Sequence, residues 1–255
     1  MGYTLHTQNP PLFENNARMI MQQSDKVYAS GKKITDAFKP HEWEGKRCFL
    51  IGGGESLKGF NFHRLDTDLS IGINRSFEFY NSTILYMMDI VFHDMIFRGE
   101  MSRFTNENVT DLWAKFTGVK TMICPVSPYP LNADIHAIKR IEIKKITLDI
   151  SEGIYAGSNS GFGALMLAIA MGASPIYLLG YDMKISKTTH WHSGYPSQTY
   201  ADQNRKTESF KVMFEEFAPG IQGLGFKVVN LNPDSDLKCF EFGNVEEVLK
   251  EKVTC

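Results

Sequence analysis

Short runs of apolar residues, each ending at a glycine or a polar residue, set the pattern of this chain. Such runs are typical of buried parallel strands, which carry apolar side chains toward both faces of a covered sheet. They span residues 48–51, 68–74, 84–89, 121–124, 175–180 and 226–231. We expect these segments to be strands of one sheet.

Helical patterns lie between several of these runs. Residues 162–172 predict an apolar helix in which Ala164, Leu167, Ala168 and Met171 share one face and which ends at Gly172. Residues 206–217 predict an amphipathic helix, and residues 245–252 predict a terminal helix. Strands alternating with helices predict an α/β protein with a Rossmann-like, mostly parallel, doubly wound sheet and helices on both faces.

The first 45 residues have a different pattern from the rest. A polar arm containing Pro10 and Pro11 precedes a loose apolar stripe over residues 15–38, which predicts a helix ended by Pro40. We therefore expect an N-terminal arm and helix over residues 1–45, used for packing or oligomerisation. The Rossmann-like domain would then cover residues 46–255.

Composition excludes several classes of protein. The chain has 255 residues, 43% of them hydrophobic, and a formal net charge of -2. That composition argues against disorder and against a broad basic surface for nucleic acid. The four cysteines are scattered without a CxxC pair, which predicts neither a zinc ribbon nor a disulfide framework. The N-terminus shows no signal peptide, and the apolar run 162–171 is too short for a membrane span, so we expect a cytoplasmic protein.

Polar or glycine-rich positions follow four of the predicted strands. In a doubly wound sheet, ligands bind beyond the carboxyl ends of the strands, near the point where strand order reverses. The positions are Gly52, Gly53, Gly54 and Ser56 in one loop, Asn74 after the second strand, and the acids Asp89 and Asp182. Because all of these positions follow predicted parallel strands, they predict a ligand site at one edge of the sheet.

The glycine loop, residues 52–56, is neither a GxGxxG nor a Walker A sequence. Glycines there let a backbone approach a ligand, and N–H groups at a helix start can hold a phosphate. The alternative is a tight strand-to-helix turn in which Ser56 is only an N-cap.

A second loop precedes the apolar helix and contains Ser158, Asn159, Ser160 and Gly161. Small hydroxyl and amide side chains there can cap the helix or hold a phosphate or a ribose. Two such loops in one Rossmann-like chain favour nucleotide binding. Because neither loop contains Arg or Lys, a nucleotide would be held mainly by backbone N–H groups, Ser and Asn.

Two histidines, His190 and His192, follow Asp182 in a polar stretch. A histidine in such a loop can take a proton near neutral pH, which predicts a general acid or base. A metal site formed by His190, His192 and Asp182 would lack a clear further protein ligand, so we predict no metal. Surface histidines beside a packed Trp191 are the remaining alternative.

Two other polar positions leave their roles open. Asp89 can bind a ribose or a metal-bound phosphate, or can simply begin a helix. The turn at residues 232–235, after the last predicted strand, is explained by turn chemistry first and by ligand contact second.

Residues 48–60 (CFLIGGGESLKGF), residues 72–77 (GINRSF), residues 159–182 and the His190 region together resemble the bacterial family 42 sialyltransferases. The resemblance covers about residues 47–240. It extends to the superfamily of the archaeal 6-hydroxymethylpterin diphosphokinase-like proteins. The pattern is closer still to that of a group of proteins encoded in bacteriophages and bacteria.

This resemblance implies a Rossmann-like fold and a metal-independent, inverting transfer of a sugar from a CMP-sugar donor to an acceptor hydroxyl. It implies that His190 or His192 is the catalytic base. Nucleotide-binding residues carried over by motif are Gly53, Ser56, Asn74, Asn159, Ser160 and Gly161. The chain departs from the family at Gly53, where an Asn is usual, and at Met183 and Lys184, where supporting tyrosines are missing. Tyr195, Tyr200 and Lys184 are candidate substitutes.

Two alternatives stay open from the residues alone. A pyrophosphokinase-like phosphoryl transferase would need magnesium, held by Asp89, Asp94 and Asp182. A non-catalytic nucleotide-binding module would keep the glycine loops without acceptor contacts. In each case the expected partner is a nucleotide or nucleotide-sugar, with a glycan or other hydroxyl acceptor for the transferase, and a homo-oligomer is left open.

Overall fold

A computed structural model describes residues 3–4, 22, 25–97, 109–124, 131–184 and 200–250. Its centre is an eight-stranded sheet in the order β10-β9-β8-β2-β3-β4-β5-β6, with every neighbouring pair parallel. The strands of this sheet are β2 (Cys48–Ile51), β3 (Leu69–Ile73), β4 (Ile84–Met87), β5 (Val119–Ile123), β6 (His136–Ile138), β8 (Ile176–Leu179), β9 (Val228–Asn230) and β10 (Glu241–Phe242). A separate antiparallel pair joins β1 (Tyr3–Thr4) to β7 (Lys145–Ile146).

The strand order reverses beside β2. The chain moves outward through β3, β4, β5 and β6 on one side, returns to place β8 against the other side of β2, and continues outward through β9 and β10. The reversal therefore lies between β2 and β8, the place where doubly wound sheets open a ligand crevice. The predicted α/β, Rossmann-like, doubly wound fold is confirmed.

The register brings several predicted loops to the same level. Ile51, the last residue of β2, pairs with Gly72 on one side and with Leu179 on the other. Residues that follow these positions therefore leave the sheet together at its carboxyl edge. This shared level explains why Gly52, Asn74 and Asp182 can contribute to one site.

Helices and loops cover both faces of the sheet. The helices are α1 (Ile34–Ala37), α2 (Ile90–Phe97), α3 (Val109–Lys115), α4 (Ser160–Ala170), α5 (Tyr200–Gly223) and α6 (Val245–Lys250). Helices α4 and α5 pack on one face in the largest apolar cluster, with Phe162, Phe214 and Phe217 fully buried. The opposite face is covered by two smaller clusters, which include side chains of α2, α3 and α6.

The helix predicted over residues 15–38 is interrupted at residues 31–33. Residues 25–30 are helical, but the chain is extended at Lys33 before the short helix α1 begins. Lys33 forms a parallel bridge with Ala137 of the edge strand β6, and the Ala137 N–H donates to Lys32 O at 2.8 Å. Pairing with an open sheet edge therefore replaces helix at this point.

Parts of the N-terminal region pack into the main apolar cluster. Ile34 and Trp43 are both almost fully buried there, and the Trp43 N–H donates to Met171 O at 3.0 Å. The domain boundary at residue 45 stays a prediction. Over the described part of the chain, no helix combines the length and apolarity needed to cross a membrane.

Candidate active site at the carboxyl edge of the sheet

The glycine loop is docked tightly onto the end of β8. The N–H groups of Gly52 and Gly54 donate to Leu179 O and Gly180 O, each at 2.8 Å. A Cβ on Gly54 would lie 2.4 Å from Cγ of Asp182, and one on Gly52 would lie 2.7 Å from Gly180 O. Glycine is therefore required at Gly52 and Gly54 by contact with this protein's own backbone, beyond any ligand contact.

Asp182 holds the glycine loop from the opposite side. Its carboxylate accepts hydrogen bonds from Ser56 N at 2.9 Å, from Ser56 Oγ at 2.5 Å, and from Asn232 Nδ2 at 2.8 Å. The side chain is 6% exposed, so these contacts are sheltered from water. Asp182 thus links the end of β8 to the loops that follow β2 and β9, and it positions Ser56.

Asn74 follows β3 in an unusual backbone conformation. Its φ is +50°, a left-handed value that asparagine tolerates better than most residues. Its Nδ2 lies 3.5 Å from the hydroxyl of Ser160, the first residue of α4. Its Oδ1 is buried and has no hydrogen-bond partner among the described residues. The turn thus brings the end of β3 to the start of α4.

Asn159 is the N-cap of α4. Its Oδ1 accepts from the Phe162 N–H at 2.8 Å, which caps the helix and is one of the two roles that the sequence left open. Its Nδ2 is buried without a partner among the described residues, and the residue is 7% exposed. Of the neighbouring residues, Ser158 is exposed, whereas Ser160 and Gly161 are half-buried.

Tyr181 holds the first turn of α4 in place through a hydrogen bond from its hydroxyl group. Its hydroxyl donates to Gly161 O at 3.1 Å, and its ring would lie 3.1 Å from a Cβ on Gly161. Burial raises the pKa of this phenol well above its ordinary value, so the hydroxyl stays a hydrogen-bond donor. The start of α4 is therefore held rigidly beside the glycine loop.

Unsatisfied polar atoms collect at this edge of the sheet. Five buried side-chain atoms of the described residues have no hydrogen-bond partner, and those of Asn74, Asn159 and Tyr86 lie around the first turns of α4. A buried polar atom left unpaired costs about 1–3 kcal/mol, so such a group needs a reason to persist. The positive end of the α4 dipole lies at the same place. The arrangement can accept a polar, hydrogen-bonding ligand.

The three acids considered for magnesium are differently placed. Asp89 follows β4 and is exposed, and its carbonyl accepts the His93 N–H at 3.2 Å. Asp94 lies 3.1 Å from Nδ1 of His93 in α2. The carboxylate of Asp182 is occupied by Ser56 and Asn232. Across the residues with described positions, no group of three or more His, Cys, Asp or Glu could hold a metal ion.

Several predicted residues lie outside the described part of the chain. His190, His192 and Tyr195 belong to the segment 185–199 and are among them, so their proposed roles stay predictions. Lys184, the last described residue before this segment, donates to Asp234 O at 2.7 Å. This contact joins Lys184 to the turn after β9.

Three residues that shape the site were not predicted from the sequence as parts of it. Asn232 donates to Asp182, although its turn was attributed mainly to turn chemistry. Tyr86 and Arg140 reach the same edge from β4 and from beyond β6. A signal existed for Tyr86, because a phenol within an otherwise fully buried strand must find a partner for its hydroxyl. Arg140 follows a strand too short to be recognised.

Comparisons with known proteins complete the description. No protein-family model matches this chain, and no curated protein matches it. Among solved structures, the chain is similar to the MAf glycosyltransferase from Magnetospirillum magneticum AMB-1, with 11% identity and a TM-score of 0.49 over 88% of this chain. The matched region covers 38% of the length of that protein, so this chain spans well under half of it.

Proposed function

We propose that this protein is a nucleotide-sugar-dependent glycosyltransferase, similar to the sialyltransferases, with a CMP-sugar as donor. The observation that carries the proposal is the pair of unpartnered amide atoms, Asn74 Oδ1 and Asn159 Nδ2, at the strand-order reversal. One is an acceptor and the other a donor. A nucleoside offers both kinds of group on its ribose and on its base, so its binding would satisfy both atoms.

The phosphate of the donor would lie near the two loops. The start of α4 offers backbone N–H groups and the positive end of a helix dipole, and the glycine loop lies beside it. An inverting transfer forms a bond from the acceptor oxygen to the anomeric carbon and breaks the bond from that carbon to the phosphate. The phosphate oxygen keeps the electron pair, and the acceptor proton passes to His190 or His192.

Binding is tested by thermal unfolding of the full chain with CMP and with a CMP-sugar, each with magnesium and with EDTA. A ligand at about 100 times its Kd stabilises a protein by about 2.7 kcal/mol, which raises the Tm of a chain of this size by roughly 5 °C or more. We expect that rise in EDTA as well as in magnesium. Stabilisation by ATP that disappears in EDTA would instead favour the phosphoryl transferase, and no shift with any nucleotide would overturn the proposal.

The variant Asn159→Asp isolates the donor atom. Asp caps a helix as well as Asn does, so the α4 cap is retained while Nδ2 is replaced by an oxygen. We expect the Kd for CMP to weaken about tenfold or more, because one buried hydrogen bond is worth about 1 kcal/mol and the new charge repels phosphate. Calorimetric titration measures this loss.

A matched control for this variant is Asn244→Asp. Asn244 Oδ1 accepts the Glu246 N–H at 2.8 Å at the exposed start of α6, so the same change is made at another cap. Its CMP affinity should equal that of the unchanged protein. Equal affinities in Asn159→Asp and Asn244→Asp would remove the support that the unpaired amide atom provides.

The base is tested by turnover. In single variants His190→Ala and His192→Ala, we expect one to lose transfer from a CMP-sugar by a factor of about 10² or more while CMP affinity stays nearly unchanged. Loss of binding together with turnover would assign that histidine to nucleotide binding. Full turnover in both variants would exclude the proposed base, and CMP binding without turnover in the unchanged protein would favour the non-catalytic module.

A further inference from the structure

Arg140 places a positive charge at the same edge of the sheet as the candidate site. It follows β6, and its Nε donates to the carbonyl of Cys124, which follows β5, at 2.9 Å. Its backbone forms a parallel bridge with Ile154, a few residues before the second loop. The guanidinium is thereby fixed across the carboxyl ends of β5 and β6.

Among the described residues, the end of this guanidinium makes one long ion pair and no hydrogen bond. Its side chain is 15% exposed, and the nearest carboxylate, Glu142, lies 3.7 Å from Nη1, beyond hydrogen-bond distance. Of the five N–H donors of an arginine, only Nε–H makes a hydrogen bond among the described residues. By contrast, Arg47 and Arg64 each make two hydrogen bonds to one carboxylate. Arg140 is thus a mostly buried cation whose Nη1 and Nη2 groups make no hydrogen bond among the described residues.

A buried phenol lies in the neighbourhood of Arg140. Tyr86 of β4 is 0% exposed, and its hydroxyl has no partner among the described residues. Burial raises the pKa of this phenol, and the positive charge of Arg140 acts in the opposite direction, as expected for groups close to each other. The two residues therefore offer a charge and a hydroxyl on one side of the sheet.

Tyr86 lies against residues of the candidate site. A Cβ on Gly163 would lie 2.1 Å from the Tyr86 hydroxyl, so the phenol touches the first turns of α4. Tyr86 also pairs with Ile73, the residue before Asn74. The Tyr86 hydroxyl thus lies at the start of α4, and Arg140 lies at the same carboxyl edge of the sheet.

We propose that Arg140, with Tyr86 beside it, binds an oxyanion of the substrate at the carboxyl ends of β4, β5 and β6. This inference rests on the proposed function and names a residue of its binding site. The oxyanion is a phosphoryl group of the nucleotide or a carboxylate of the transferred sugar. Either would form charge-assisted hydrogen bonds with the end of the guanidinium, to which Glu142 makes only an ion pair at 3.7 Å and no hydrogen bond.

The test compares ligands that differ by one anionic group. Affinities for cytidine, CMP and CMP-N-acetylneuraminic acid are measured by calorimetric titration on the full chain and on Arg140→Gln. If the oxyanion is the phosphoryl group, Arg140→Gln weakens CMP binding about tenfold or more and leaves cytidine binding unchanged. If it is the sugar carboxylate, CMP binding is unchanged and only the sugar nucleotide loses that affinity.

Matched variants separate charge from folding. Arg140→Lys keeps the charge and is expected to recover part of the lost affinity, which a merely structural role would not predict. Arg64→Gln removes a guanidinium that binds Glu246 at the exposed surface of α6, so its affinities should match those of the unchanged protein. Unchanged affinities for CMP and for the sugar nucleotide in Arg140→Gln would overturn the oxyanion site while leaving the proposed function intact.

A probe without a nucleoside tests the site by itself. Inorganic phosphate at millimolar concentration should raise the Tm of the unchanged protein, and should raise that of Arg140→Gln less. If no nucleotide binds but this phosphate effect depends on Arg140, the proposed function fails and the oxyanion site stands. If phosphate stabilises both proteins equally and no nucleotide binds, or if nothing binds at all, both proposals fail.

Discussion

Gly54 is required by a contact inside the protein, which the sequence alone did not reveal. From the sequence, glycines after a strand suggested a backbone that a ligand can approach closely. In the fold, the place where a Gly54 side chain would stand is occupied by Asp182 and by Gly180 O. The glycine is therefore explained by the contact between this loop and the end of β8, which in turn places Ser56 on Asp182.

Gly54→Ala is expected to destabilise the protein. The new Cβ would lie 2.4 Å from Cγ of Asp182 and 2.6 Å from Gly180 O, so the loop would have to move away from β8. Forced overpacking of this kind costs about 1–3 kcal/mol, which lowers Tm by roughly 2–10 °C for a chain of this length. Thermal or urea unfolding measures the change.

Gly223→Ala is the matched control for that substitution. Gly223 is the last residue of α5, and a Cβ added there meets nothing within 4 Å. Alanine is a better helix former than glycine, so we expect unchanged stability or a gain of up to about 1 kcal/mol. Equal melting temperatures for Gly54→Ala and the unchanged protein would mean that the loop tolerates the shift at no cost.

Arg140 supplies positive charge at the edge of the sheet where the candidate site lies. Neither glycine-containing loop carries Arg or Lys, so the sequence predicted binding by backbone groups, Ser and Asn. The position of Arg140 adds a cation at the same edge, from a segment that no motif marks. A protein with a net charge of -2 can therefore still present local positive charge to an anion.

Among the secondary-structure elements, the central strands were the most predictable. Strands β2, β4 and β8 are buried at every residue, so their sequences read as unbroken apolar runs. The edge strands β6 and β10 have three and two residues and mixed polarity, which leaves no periodicity to detect. A strand that is buried on both faces can be recognised from its unbroken apolar sequence, whereas a short edge strand has no such apolar run.

Helix α4, predicted as an apolar helix, is buried on all sides. Every residue from Phe162 to Ala170 is buried, because the helix lies between the sheet and α5. Phe162 contacts Phe214 and Phe217 of α5 with ring centroids 5.5 and 5.0 Å apart. A helix enclosed in this way keeps its N-terminus in one position, which is what the candidate site requires.

The N-terminal region illustrates the opposite outcome. Its apolar stripe predicted one long helix, yet the chain becomes extended at Lys33 and pairs with β6. Helical spacing alone could not reveal the competing partner, because the edge strand that accepts this segment lies about 100 residues later in the sequence. Tertiary pairing overrides local preference here.

At the scale of the whole molecule, the candidate site joins segments that are far apart in the chain. The glycine loop, Asn74, the second loop and Asp182 are separated by up to 130 residues, counted from Gly52 to Asp182. They meet because strand order reverses between β2 and β8 and the strands run parallel. A ligand in the crevice would contact both halves of the sheet.

Amide hydrogen exchange should show that one ligand contacts several of these loops. With CMP bound, we expect slower amide exchange in residues 52–56, residues 157–163 and residues 180–182 at once, because a ligand that bridges these loops suppresses their local opening. Residues 66–68, which precede β3 at the opposite edge of the sheet, are the internal control and should be unchanged. Protection confined to a single loop would contradict a site shared between the two halves.

The sequence by itself determined the α/β class, the central strands, the apolar helix α4 and the group of polar residues that follow strands. Each of these features can be recognised within a short stretch of sequence, because it depends on local composition or on the burial of a strand on both faces. Only the tertiary structure decided that Asp182 is bonded to Ser56 and Asn232, that Asn74 reaches Ser160, and that Arg140 and Tyr86 reach the same edge. Those contacts depend on strand order and on close approach between distant segments, which no local pattern records.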